Sequence, residues 1–134
     1  MNITQLHHVS LVTSDLERSA RFYQDVLGMR LIPRPAFDTT GVWLTSGPVQ
    51  IHLIANANGT FRSNRKIDSA DTHFALKVDD FEAAMRDLKA AGLREDVAEG
   101  DPMRLVIKRD SVAGYPQAYF LDADRHIIEI NAAQ

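Results

Sequence analysis

The segment His8-Val9-Ser10-Leu11-Val12-Thr13-Ser14-Asp15-Leu16-Glu17 recurs in altered form as His73-Phe74-Ala75-Leu76-Lys77-Val78-Asp79-Asp80-Phe81-Glu82, an offset of 65 (73 − 8) in a chain of 134 residues. A half-length unit is therefore used twice, and each copy opens on a histidine at the same place in a strand. The match reaches the far end of each copy. There Val42-Trp43-Leu44 and Ile51-His52-Leu53 are answered by Tyr119-Phe120-Leu121 and Ile128-Glu129-Ile130. The offset has grown to 77 (129 − 52), so twelve extra residues (77 − 65) fall between Gly100 and Tyr115. Four potential ligands, His8, His52, His73 and Glu129, thus stand at matched positions. A two-fold arrangement of the copies would bring His8 and His73 to one axis, which is how a repeat becomes a metal site.

A hydrophobic content of 45% over 134 residues supports one domain, residues 1–134, with a real core. Within it a first module spans 5–55, a connector 56–70 and a second module 71–134. The formal net charge of −3 argues against nucleic-acid or membrane-surface partners and leaves a small molecule as the expected one. With no cysteine in the chain, any metal is left to imidazole and carboxylate. The residues from Met1 show no basic region followed by an apolar run, and no segment approaches the roughly 20 apolar residues of a membrane span. A cytoplasmic location is the corresponding expectation.

The pattern reads β-α-β-β-β in each module. Residues 6–12 suit a strand, and Ser14 with Glu17 reads as an S-x-x-E capping box starting a helix at Asp15 that ends at Gly28. Strands are expected at 30–33, 41–45 and 49–55. In the second copy a strand at 72–78 precedes a helix capped by Asp79 and Glu82 and stopped by Gly92. Strands follow at 93–97, 117–122 and 126–131, with a further one at 103–108. Alternation puts Val9, Leu11, Phe74 and Leu76 under the helices, and His8 with Ser10, and His73 with Ala75 and Lys77, on the opposite face. By the same count His7 points away from His8. Glu129 lies between Ile128 and Ile130, where an unpaired carboxylate would be costly and needs a partner. The basic cluster of Arg62, Arg65 and Lys66 reads as a solvated linker face.

A His-led strand, the helix motif of Asp15 to Gly28, a second His-led strand and the closing Leu121-Asp122-Ala123-Asp124-Arg125-His126-Ile127-Ile128-Glu129 run together resemble the vicinal oxygen chelate superfamily. That superfamily includes glyoxalase I, fosfomycin-resistance enzymes, extradiol dioxygenases and bleomycin-resistance proteins, and the resemblance covers nearly the whole chain. It implies an α+β fold of two βαβββ modules whose sheets curl around a metal cleft, often completed in a homodimer. The implied metal ligands are His8, His73 and Glu129, with His52 at the position that is Glu in bacterial glyoxalase I. The implied cofactor is a divalent ion: Zn, Ni, Mn or Fe(II). Two departures stand out. Val12 replaces the arginine with which glyoxalase I binds glutathione, although its asparagine position is kept as Asn56. Arg125 replaces the glycine of the usual turn, a left-handed position that costs a non-glycine residue roughly 1 kcal/mol.

The activity implied is that of a metal-dependent lyase or isomerase of the glyoxalase type, acting on a small vicinal-oxygen substrate through a metal-stabilised enediolate with Glu129 as general base. Arg109, Lys108 and Tyr115 in the inserted segment are candidates for a lid over an anionic substrate, and Asn56 for a further substrate contact. The alternatives are an Fe(II) ring-cleaving dioxygenase built on His8, His73 and Glu129, and a metal-free drug-binding protein of the bleomycin-resistance kind.

Overall fold

A computed structural model describes all residues, Met1–Gln134. It divides into two compact units, Met1–Thr60 and Phe61–Gln134. The first contains β1 (Val9–Thr13), α1 (Leu16–Asp25), β2 (Arg30–Ile32), β3 (Gly41–Ser46) and β4 (Val49–Ala55). The second contains β5 (His73–Lys77), α2 (Phe81–Ala90), β6 (Val106–Lys108), β7 (Gln117–Leu121) and β8 (Ile127–Asn131). Their sheets have the same topology, β1-β4-β3-β2 and β5-β8-β7-β6, and match the expected two-module α+β fold. In each, the first and last strands pair in parallel and the other neighbours antiparallel.

The register carries the duplication to the residue. Ser10 pairs with His52 in the first sheet, and Ala75 with Glu129 in the second. The offsets of 65 and 77 read from the sequence are therefore the structural ones. The third strand is different. Trp43 faces His52 and Tyr119 faces Glu129, so the equivalence there is an offset of 76 (119 − 43), one residue short of that read from the apolar pattern. The pattern matched Trp43 to Phe120, but the turn after β7 is longer than the two-residue turn after β3, and this shifts the pairing.

Each unit separates an apolar face from a chemically mixed one, because side chains alternate along a strand. In the first, α1 covers β3 and β4 and buries Tyr23, while Leu11, Leu44, Ile51 and Leu53 complete the core. In the second, α2 buries Phe81, Met85 and Leu88 at helical spacing, and Phe120, Ile128 and Ile130 point away from Glu129. The Glu129 face has its own small core of Tyr119, Leu121 and Ile127, against which Ile67 and Val106 pack.

Several expectations need correction. β1 begins at Val9, so His7 and His8 lie before the strand and alternation does not govern them; their rings meet, Nδ1 to Nδ1, at 2.8 Å. The expected strand at 93–97 is only a single bridge between Arg94 and Arg104. The helix caps also move by one residue. Asp15, not Ser14, caps α1 by accepting from the Arg18 N–H at 3.1 Å, and Asp80, not Asp79, caps α2 by accepting from Ala83 at 2.9 Å. Aspartate is as good an acceptor at this position as serine, but with Asp15 and Asp80 as caps the residues three further on are Arg18 and Ala83, so the expected capping boxes with Glu17 and Glu82 do not form. Gly28 and Gly92 follow the helices with positive φ, as expected, and Arg125 is the one non-glycine residue in the left-handed region, at φ 66°. No helix is long and apolar enough to cross a membrane.

The cap assignment has a direct test. Asp80→Ala is expected to destabilise the protein by about 1 kcal/mol in urea denaturation, whereas Asp79→Ala changes stability by less than about 0.5 kcal/mol. Equal losses would reject Asp80 as the cap.

Candidate functional site

His73 is the first residue of β5 and pairs with Ile127, the first of β8, from where its ring reaches Glu129 in the middle of that strand. Its Nδ1 lies 2.8 Å from the Asp71 carbonyl oxygen, and its Nε2 lies 3.2 Å from Glu129 Oε2. A carbonyl only accepts, so Nδ1 carries the proton. Nε2 then turns a lone pair towards a carboxylate oxygen, which is favourable only with a positive charge there, either a second proton or a metal ion. Orientation of a histidine through one nitrogen, leaving the other as ligand, is the usual arrangement behind a metal-binding imidazole.

Glu129 is 5% exposed. Burial by itself would push its carboxyl pKa up, but the amides of Asn131 and Gln117, each donating to Oε1 at 3.0 Å, outweigh it, with help from His73 and the Tyr119 hydroxyl. The net shift is downward, so the group is ionised at neutral pH. These partners are the reason an acid can sit between Ile128 and Ile130. Oε1 is anchored by two amides and Oε2 faces His73. Tyr119, opposite Glu129, has its own hydroxyl pKa raised by burial first and then by the Glu129 charge.

The matching position in the first unit is built from rings. His52, 6% exposed, is stacked between Trp43 at 4.2 Å and His8 at 4.0 Å between ring centroids, the planes within 7° and 14° of parallel. Its Nε2 lies 3.1 Å from Gln50 Oε1. Burial lowers the His52 pKa, followed by the neighbouring His8, His7 and Arg34. A neutral imidazole is the form that binds a metal. Neither unit by itself gathers three or more His, Asp or Glu side chains into a cluster able to hold a metal ion. Each supplies a pair: His8 with His52, and His73 with Glu129.

The other expected residues fall elsewhere. Asn56 follows β4 and spends its side-chain oxygen on the Asn58 N–H at 3.1 Å, closing a local turn. Arg109 forms an exposed two-pronged ion pair with Glu82, at 2.9 and 3.2 Å. Tyr115 is half-buried and near enough to Tyr119 to contribute to its pKa. Arg62 does not belong to a solvated face: with a side chain 12% exposed, it bonds Asp71 and the carbonyls of Lys66 and Arg125. Sequence reasoning passed over Tyr119, Gln117 and Asn131. Asn131 was legible as the next residue on the Glu129 face, two positions along the strand, but the other two depend on the β7 register.

Comparison with known proteins points in one direction. A family model described as the Glyoxalase/Bleomycin resistance protein/Dioxygenase superfamily matches residues 5–130. Glyoxylase I 4 of Arabidopsis thaliana is 27% identical over 132 residues, covering 97% of this chain and 71% of the relative. Mitochondrial methylmalonyl-CoA epimerase of Homo sapiens is 27% identical over 124 residues, covering 81% and 69%. Among solved structures, a mutant of the fosfomycin resistance protein FosX from Listeria monocytogenes, complexed with Mn(II) and 1S,2S-dihydroxypropylphosphonic acid, superimposes with a TM-score of 0.70 at 18% identity, covering 99% of this chain and 95% of that one.

The downward shift at His52 carries a prediction. By NMR its imidazole is expected to titrate below the ordinary value of about 6.5. The unfolded chain takes up this proton more readily than the folded one, so His52 makes the protein less stable as pH falls through about 6.5 towards the folded pKa. A midpoint at or above the ordinary value would contradict the buried, stacked placement.

Proposed function

The chain belongs to the glyoxalase/bleomycin resistance protein/dioxygenase superfamily, and from that premise we propose that it is a metal-dependent enzyme of the glyoxalase type, a lyase or isomerase acting on a small substrate with neighbouring oxygens. In this reading one divalent ion is held by His8, His52, His73 and Glu129. The donor set suits such an ion: neutral imidazoles and one ionised carboxylate are borderline ligands, apt for Zn, Ni, Mn or Fe(II). The observation that supports the reading is the approach of His73 Nε2 to Glu129 Oε2 at 3.2 Å, a contact that calls for a positive charge between the two, while Nδ1 is committed to the Asp71 carbonyl. The Mn(II) in the FosX complex supports the metal.

When bound, the ion would supply Lewis-acid polarisation of a substrate carbonyl. The chain's own residues manage the proton. Glu129 Oε1 is held by Gln117 and Asn131, so the carboxylate keeps its orientation, and Glu129 is the group that would move a proton between neighbouring substrate carbons. Tyr119 shields this carboxylate from water on the β7 side and gives its hydroxyl to the carboxylate itself, which holds Glu129 ionised.

One observation favours a second reading. The His52 and His8 rings lie nearly parallel, 4.0 Å apart, so their in-plane lone pairs do not point at one ion, which leaves His8, His73 and Glu129 as a two-histidine, one-carboxylate set with open positions, the pattern of Fe(II) oxygen chemistry.

Chelator-stripped protein titrated with Zn, Ni, Mn and Fe(II) tests both readings. His73→Ala and Glu129→Ala are each expected to weaken binding by about a hundredfold or more, and isomerase or lyase activity on 2-oxoaldehydes or their thiol adducts to be lost on chelation and restored by the ion. Comparable weakening by His52→Ala supports the four-ligand enzyme, whereas unchanged affinity together with oxygen uptake on a catechol supports the dioxygenase. Activity indifferent to chelation would refute both.

A further inference from the structure

Arg62 belongs neither to the donor set nor to the proton path, yet its side chain is withdrawn from water beside them, 12% exposed. Nε donates to Asp71 Oδ2 at 3.0 Å, Nη1 to the Arg125 carbonyl at 2.9 Å and Nη2 to the Lys66 carbonyl at 2.7 Å. Burying a guanidinium is costly unless such partners replace water. Here they come from separate segments: the connector, the residue pair just before β5 and the turn between β7 and β8. The last two are the points from which His73 and Glu129 are hung. The Asp71 carboxylate is tied at both oxygens, Oδ2 by Arg62 and Oδ1 by the Thr72 N–H at 2.7 Å, while its carbonyl accepts from His73 Nδ1 at 2.8 Å. A fixed carbonyl fixes the ring that donates to it, and with the ring the direction of Nε2.

Arg125 is the left-handed residue of its turn, at φ 66°, a conformation that persists only where the surroundings hold it. Two residues later β8 begins at Ile127, the partner of His73 across the parallel pair. A parallel pair has no tight turn to close its end. At this end the guanidinium does so, by bonding Asp71 on the approach to one strand and Arg125 on the approach to the other. We propose that Arg62 is a positioning residue: through Asp71 it sets the His73 imidazole, and through Arg125 it sets the start of the strand that carries Glu129, so that Nε2 and Oε2 meet at 3.2 Å. Shape matters here more than charge. Lysine would keep the charge but present its donors from a single nitrogen, and could not span acceptors spread around a planar fork. The exposed Arg109, paired only with Glu82, has no such reach.

That the positioned pair serves a metal rests on the proposed function; the hold on His73 does not, and Arg62→Lys reads the two separately. In metal-free protein carrying isotope-labelled histidine, NMR is expected to show the His73 Nδ1–H proton exchanging with water about tenfold faster in the variant than in the native chain, as loss of one anchoring hydrogen bond allows. Zn titration of chelator-stripped protein should show affinity weakened about tenfold or more. Asp80→Ala, destabilised at the α2 cap, controls for lost stability and should leave both readings at their native values. Should Arg62→Lys not fold, Asp71→Ala removes the same link at a more exposed position and should speed the exchange likewise. Unchanged exchange, equal acceleration in Asp80→Ala, or native Zn affinity in Arg62→Lys would each overturn the proposal. Faster exchange in a protein whose native chain binds no Zn would uphold the hold on His73 and reject the metal site instead.

Discussion

The parallel pairing of the first and last strand within each unit is the constraint on which the rest of the molecule depends. A parallel pair cannot be closed by a tight turn, so a helix and two further strands must lie between its members. That requirement brings together side chains far apart in sequence: His8 with His52, and His73 with Glu129. The register adds the second half of the specification. With Ser10 against His52 and Ala75 against Glu129, a slip of one residue would turn both chemical groups into the helix-covered face. Leu11, Ile51 and Leu53 on one side, and Ile128 and Ile130 on the other unit's equivalent, make that slip expensive because they would exchange burial for exposure. The apolar core thus fixes the position of the polar residues.

The same constraint explains what was legible in the sequence and what was not. Strand periodicity and the paired histidines suffice to read the repeat, both offsets, the helix stops at Gly28 and Gly92 and the left-handed Arg125. These are local signals, each with a steric or alternating cause inside a few residues. The partners of Glu129 are a different matter. Tyr119 and Gln117 reach it only through the pairing of β7 with β8, and the longer turn before β8 alters that pairing by one residue relative to the first unit. An apolar pattern reads Phe120 and Trp43 as equivalents because both are large aromatic residues in similar strings. Hydrogen-bond register sets them on opposite faces. His8 shows the same limit, since its placement beside His7 follows from where β1 starts and not from alternation.

Arg109 and Arg62 illustrate a second kind of illegibility. Both are charged residues in polar stretches, and composition treats them alike. Arg62 is held by a carboxylate and two carbonyls and is largely withdrawn from water, whereas Arg109 forms an exposed ion pair of the kind that contributes little to stability. The difference comes from which groups the fold brings within reach. A guanidinium can satisfy five donors, so it becomes structural wherever backbone carbonyls converge, as they do at Lys66 and Arg125.

The two units also show how one position has come to bear two different chemistries. Opposite His52 stands an indole, and opposite Glu129 a phenol flanked by Gln117. A buried carboxylate needs donors, and the amides of Gln117 and Asn131 supply them at 3.0 Å. An indole face supplies none; it offers a broad apolar plane on which a neutral ring can lie, as His52 does at 4.2 Å. The direction of each pKa follows from these surroundings. His52 is kept neutral by burial, and Glu129 is kept charged in spite of it. Duplication supplied two equal positions on two equal sheets. The neighbour across the third strand then decides which of them can hold a charge, so the asymmetry of the donor set resides as much in Trp43 and Tyr119 as in the histidine and glutamate themselves.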